Sequence, residues 1–198
     1  ETAVAGWTQT SATCSDGSPI NAIVVSAGET VTCTFTNTQQ KGRIIVDKIT
    51  NPSADTQSFT FTATGTGYTG FSLTDASAPN NQELDAGTYS VAETAVAGWT
   101  QTSATCVSSD QNSETPGNIS LQPGETVTCT FTNTKKGRII VDKITIPSGN
   151  AQSFNFTATG TGYTGFSLTD TATPNNQELN PGTYSVAEAQ VSGWTSNG

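Results

Sequence analysis

The sequence has no histidine and no methionine among its 198 residues, and only seven basic side chains. Without histidine, imidazole catalysis and histidine metal ligation are excluded. The basic residues fall in two short windows, Lys41, Arg43 and Lys48, then Lys135, Lys136, Arg138 and Lys143. That distribution excludes a broad cationic surface for nucleic acid. The net charge of −9 favours solubility and self-repulsion. No apolar run is long enough to span a bilayer, so no membrane span is expected in this segment. No basic-then-apolar leader opens the sequence, and Glu1 is not expected to be a translational start; the chain reads as an excerpt of a larger mature protein. No CxxC pair is present, which argues against zinc or redox chemistry. With no nucleophile–base pair and no metal cluster either, the chain reads as non-enzymatic, with no cofactor.

What is present is β-forming. Short runs rich in Thr, Val and Phe, punctuated by Gly, Pro and Asn, argue for an all-β protein. The four cysteines fall at matched places and pair naturally as Cys14–Cys33 and Cys106–Cys129, which implies an extracellular or otherwise oxidising setting. The alternative is four buried thiols in a cytosolic protein.

The sequence repeats itself. "ETAVAGWTQTSATC" stands at 1–14 and 93–106, "GRIIVDKIT" at 42–50 and 137–145, "ATGTGYTGFSLTD" at 63–75 and 158–170, and "TVTCTFTNT" at 30–38 and 126–134. The spacing changes between the two cysteines of each pair, where an insertion points to a surface loop. A period near 95 residues is too long for a solenoid and suits tandem copies of one small β-domain. With "TQQKGR" and "TKKGR" as polar breaks, 42–136 reads as one complete β-sandwich repeat, 1–41 as the C-terminal part of a preceding repeat, and 137–198 as the N-terminal part of a following one. The two partial repeats overlap, since "ETAVAGWTQTS" at 1–11 and "EAQVSGWTSNG" at 188–198 hold the same place. A longer array is therefore favoured over subunits that complete one another, though head-to-tail completion with the overlap displaced stays open.

Within 42–136 the expected strands are "RIIVDKIT", "SFTFTAT", "GFSLTD", "GTYSVAETAV", "GWTQTSATC", "NISL" and "PGETVTCTFTNT", with a turn around "APNNQE". Alternation along a strand assigns faces. Ile44, Val46 and Lys48 share one face, as do Tyr89, Val91 and Glu93, and Val127, Cys129, Phe131 and Asn133. Each apolar row ends in a polar group: amine, carboxyl, amide. Burying these costs several kcal/mol (roughly 2–7 for each unpaired group). Taken singly, each has a plain reading as a solvated strand end or turn residue. Taken together they suggest chemistry. A buried amine is pushed towards its neutral, nucleophilic form. Held against a carboxamide, with a carboxyl to shuttle the proton, it can displace ammonia and leave an isopeptide bond.

These motifs, "GRIIVDK", "YSVAETAVAGW" and "CTFTN", resemble the Cna protein B-type domains, also called SpaA-like or prealbumin-like domains, of bacterial adhesins, pilins and long repetitive surface proteins. The resemblance implies a spontaneous isopeptide bond between Lys48 and Asn133, promoted by Glu93, in a segment where Tyr89 and Glu93 precede Gly98 and Trp99. It places Glu1 and Asn37 in the preceding partial repeat, and Lys143 and Glu188 in the following one. The cysteine pairs depart from the usual family pattern, which leaves open whether isopeptide, disulfide or both are used.

Three functions are weighed. The first is a structural segment of an extracellular stalk, fibre or filament at the cell surface, whose partners are neighbouring repeats or copies of itself. The second is an adhesin repeat binding a host, matrix or carbohydrate ligand. The third is an accessory binding module of a secreted enzyme. Near-identity of the repeats favours the first. Trp7, Trp99 and Trp194 recur at one repeat position, which fits core better than a ligand platform. The basic windows are read either as contacts to acidic groups of a neighbouring domain or chain, or as simple solubility. Sequons at Asn118 and Asn155 carry little weight in a Thr-rich chain.

Overall fold

In the computed structural model, residues 1–195 are described, and among them the chain is all-β, with no helix. Fifteen strands follow one another: β1 (Trp7–Cys14), β2 (Cys33–Gln39), β3 (Gly42–Asn51), β4 (Phe59–Thr64), β5 (Phe71–Leu73), β6 (Asn80–Leu84), β7 (Gly87–Glu93), β8 (Trp99–Ser108), β9 (Ile119–Leu121), β10 (Thr126–Lys135), β11 (Gly137–Val141), β12 (Phe154–Thr159), β13 (Phe166–Leu168), β14 (Asn175–Leu179) and β15 (Ser185–Glu188). They pack as two compact units. One holds residues 1–49, 56–94 and 103–131, and the other 50–55, 95–102 and 132–195.

In the first unit lie most of two four-stranded sheets, ordered β6-β3-β10-β8 and β5-β4-β7-β9. Their facing sides carry the large apolar side chains, as period-two alternation dictates. Ile44 and Val46 of β3, Phe59 and Phe61 of β4, and Val127 and Phe131 of β10 are buried. Phe61 and Phe131 meet edge-on with ring centroids 5.1 Å apart, and Phe61 stacks on Phe71 at 5.0 Å. Strands β3 and β10 run in the same direction: the Arg43 N–H donates to Glu125 O at 2.8 Å, and further along both strands Lys48 Nζ lies 3.4 Å from Phe131 O. The same unit contains the two-stranded sheet β1-β2, antiparallel from Trp7↔Gln39 to Cys14↔Cys33.

The second unit contains sheets β11-β14 and β13-β12-β15. Their registers repeat those of the first unit: Gly137↔Leu179 matches Gly42↔Leu84, and Phe156↔Glu188 matches Phe61↔Glu93. A backbone detail recurs too. Gly65 and Gly160 have φ of +117° and +114°, and a Cβ there would sit 2.2 and 2.3 Å from the rings of Tyr89 and Tyr184. Only glycine serves both demands.

One expectation is corrected. "APNNQE" is not simply a turn: Asn80–Leu84 form β6, an edge strand paired with β3, and Asn175–Leu179 form β14 likewise. The polar composition hid a two-residue alternation that ends in buried Leu84. Gln82 anchors the strand, accepting from the Thr69 N–H at 3.1 Å and donating to Thr69 O at 2.8 Å.

Both expected disulfides are present, Cys14–Cys33 and Cys106–Cys129. Four basic residues of the two windows pair with acids of their own chain: Lys41 with Asp85 at 3.7 Å, Arg43 with Glu83, Lys135 with Asp55 at 2.8 Å, and Arg138 with Glu178 at 2.5 Å. Trp99 is buried, Trp194 packs edge-on against Phe154 at 5.1 Å, and Trp7 is exposed.

Candidate functional site

Alternation on β3 carries Ile44, Val46 and Lys48 inward, so the lysine follows two aliphatic residues into the core. On β7 the inward row is Tyr89, Val91 and Glu93, and the Glu93 position pairs with Phe61 of β4. The two rows converge. Lys48 Nζ lies 3.5 Å from Glu93 Oε2, with both side chains withdrawn from solvent. The amine also donates to Ile49 O at 3.0 Å and sits 4.1 Å above the centre of the Phe59 ring.

Burial lowers the pKa of Lys48, because the charged form loses its hydration; the Glu93 carboxylate opposes this without overcoming it. A larger fraction of the amine is therefore neutral than in water. Its partner strand is β10, whose inward row Val127, Cys129, Phe131 and Asn133 is buried throughout. Asn133 thus lies on the inward face of β10, two residues beyond the carbonyl that Lys48 approaches. A nucleophilic amine, a carboxyl and a dry surrounding are the parts that amide exchange requires.

The residues at the matching sequence positions, Glu1, Asn37, Lys143 and Glu188, are also placed. Asn37 Nδ2 donates to Glu1 Oε1 at 2.7 Å, and both residues are exposed. Lys143 Nζ lies 3.0 Å from Glu188 Oε2 and 4.0 Å above the Phe154 ring, in an open pocket lined also by Val191 and Trp194. Of the overlap segment 188–198, Ser196, Asn197 and Gly198 lie outside the described residues.

Sequence reasoning missed the ring under the amine. Phe59, like Phe154, opens the alternating "SF-x-F" strand, and that pattern was its only signal. It also missed the buried carboxylate Glu125, which accepts from the Ser108 hydroxyl and from the Gln122 N–H at 2.6 Å. The "PGE" turn before the last strand was its clue.

Residues 44–135 match the model of a SpaA-type family described as a prealbumin-like fold domain. No curated protein matches. Among solved structures, the chain is similar to the Bacillus anthracis TIE protein at 18% identity and a TM-score of 0.39, over 82% of this chain and 33% of that one. The chain thus spans about a third of the length of that protein. The span that matches the prealbumin-like fold domain, 44–135, contains Lys48, Glu93 and Asn133.

Proposed function

We propose that this chain is a tandem-repeat segment of an extracellular surface stalk, fibre or filament, its domains locked by Lys–Asn isopeptide bonds and by disulfides. The observation that carries the reading is the buried Lys48–Glu93 pair, facing the strand on which Asn133 lies. In the proposed step the neutral Lys48 amine attacks Cγ of Asn133. The new C–N bond forms as the C–Nδ2 bond breaks. Glu93 relays the proton from the amine to the departing nitrogen, and ammonia leaves. The reaction is self-directed and happens once, so the domain is structural rather than enzymatic. SpaA-type domains belong to cell-surface proteins, which supports an extracellular setting.

The topology supports a load-bearing role. Strands β3 and β10, the first and last of the repeat at 42–136, are neighbours running in the same direction. Tension entering at the start of β3 and leaving at the end of β10 pulls the two strands past one another. A covalent link between them passes that load across the pair without opening the sandwich. The recurrence of strand registers at 137–188 supports further copies of the domain along the chain.

Intact mass tests this. After reduction of the disulfides the chain should be lighter than its sequence by one ammonia, and Glu93→Ala should carry the full mass of its own sequence. An unchanged mass in the parent protein removes the proposal.

A further inference from the structure

Glu125 is a buried carboxylate, 1% exposed, that the amide exchange does not use. It closes the turn that runs from Gln122 to Glu125. The Glu125 N–H donates to Gln122 O at 3.1 Å, and the Gln122 N–H donates back to Glu125 Oε2 at 2.6 Å. The Ser108 hydroxyl donates to Oε1, and the Arg43 N–H donates to Glu125 O at 2.8 Å. Bonds to a carboxylate are the stronger kind, and they offset the cost of burying it. Between the two ends stand Pro123 and Gly124, the latter at φ +83°, which is the residue order of a type II turn. The same closure recurs at Ser26–Glu29, where the Ser26 N–H donates to Glu29 Oε2 at 2.8 Å and the Glu29 N–H to Ser26 O at 3.0 Å. The turn is thus shaped by its own residues.

The turn at 122–125 is occupied. Gly6 approaches so closely that a Cβ on it would lie 2.8 Å from Cβ of Pro123. The Gly124 N–H donates to Lys41 O at 3.3 Å, and Gln40 Oε1 lies 3.0 Å from where a Cβ of Gly124 would stand. Gln40 ties these contacts together: its N–H donates to Gly6 O at 2.8 Å and its Nε2 to Thr8 Oγ1 at 3.3 Å. Just past Lys41 the chain enters β3 at Gly42, where a Cβ would lie 2.6 Å from Cγ of Leu121, so only glycine passes. We infer that the Gln122–Glu125 turn is a preformed seat for the neighbouring repeat of the chain, that Gly6 and the linker Gln40–Lys41 occupy it, and that Glu125 is the positioning residue that holds its shape. Successive domains by default move relative to one another. The seat makes the passage from 1–41 into 42–136 a fixed joint instead, which lets a stalk keep its direction from one domain to the next. This rests on the reading of 1–41 and 42–136 as successive repeats; it does not rest on the amide link.

Nuclear magnetic resonance on the full chain tests the joint. In the parent, amide relaxation should show β1 and β2 tumbling as one body with β3, β4 and β7, Gly6 should give Overhauser contacts to Pro123, and the Gly124 N–H should exchange slowly. Independent tumbling of β1 and β2 in the parent overturns the inference. Gly6→Ala should free β1 and β2 from the common motion and speed exchange at Gly124. Gly98→Ala controls for backbone strain: Gly98 has φ +79° against +77° at Gly6, but no atom lies within 4 Å of the added methyl group, so the joint should persist. Pro123→Gly removes the ring from the other side of the contact without touching β1 or β2, and should loosen the joint in the same direction. A joint unchanged in both Gly6→Ala and Pro123→Gly overturns the seat. Glu125→Gln should speed exchange at Gly124 about tenfold with the Cys106–Cys129 bridge still formed. Unchanged exchange there overturns the role of Glu125. Intact mass of each reduced chain reads the amide link separately. A rigid joint without ammonia loss removes the proposed lock and leaves the joint; ammonia loss with independent tumbling does the reverse.

Discussion

Lys48 Nζ lies 3.5 Å from Glu93 Oε2, with the two side chains 0% and 2% exposed. A pair so placed is a poor source of stability, since desolvation offsets most of the attraction. Its position beside β10 is what the proposed amide exchange with Asn133 uses. The pair also makes the fold sensitive to pH in a definite direction.

That direction can be measured in Asn133→Ala, where the amide link cannot form. The folded pKa of Lys48 lies below its ordinary 10.5. Between the two values the unfolded chain holds the extra proton, so the contribution of Lys48 to stability should rise with pH and level off above 10.5, while Tyr68 and Tyr89, whose pKa values are raised by burial, pull total stability the other way where tyrosine ionises. Urea unfolding at a series of alkaline pH values should show this rise as the stability difference between Asn133→Ala and the double variant Lys48→Met, Asn133→Ala, in which the tyrosine contribution is common to both.

Two tyrosines on neighbouring elements should respond oppositely to loss of the hydroxyl. Tyr68 is buried, its hydroxyl has no hydrogen-bond partner among the described residues, and burial raises its pKa far above the ordinary value. Tyr89 donates to Asp85 O at 2.7 Å. In the Asn133→Ala background, Tyr68→Phe should be neutral or stabilising by about 1 kcal/mol, and Tyr89→Phe should cost about 1 kcal/mol. Equal losses in both would mean that the Tyr68 hydroxyl has a partner in solution.

The Cys106–Cys129 bridge closes a sequence separation of 23 residues between β8 and β10. Replacing both cysteines with serine should lower stability by roughly 3 kcal/mol in the chain-entropy description. Comparing that loss with and without the Asn133→Ala change measures how far the disulfide and the proposed amide link overlap. A much smaller loss when the amide link is present would show that both restrain the same opening of β10.

Gly65→Ala should destabilise by more than about 1 kcal/mol, because the backbone conformation is unfavourable for alanine and the Tyr89 ring blocks the new methyl group. Gly67→Ala, also at positive φ but with its nearest atom 3.9 Å away, separates the two causes. Thermal melts of the pair should show the larger loss at Gly65.

Much of this architecture is written in local alternation. The row Ile44, Val46, Lys48 and the row Val127, Cys129, Phe131, Asn133 are inward in the structure as parity assigns them, because successive side chains on a strand point to opposite faces. Both disulfides follow from matched cysteine positions. The edge strands β6 and β14 were not legible, since "NNQEL" has turn-like composition and is held by pairing to β3 and β11 rather than by its own propensity. The approach of Lys48 to Glu93, and the Phe59 ring beneath the amine, depend on how two sheets pack, which no local pattern encodes.

The limit is clearest in a segment the chain contains twice. Residues 1–14 and 93–106 are identical, yet Trp7 is exposed and Trp99 is buried. The sequence by itself determined that each copy forms a strand and which side chains share a face. Whether that face is covered was decided by tertiary structure, because burial belongs to the sheet lying opposite and not to the strand that bears the side chain.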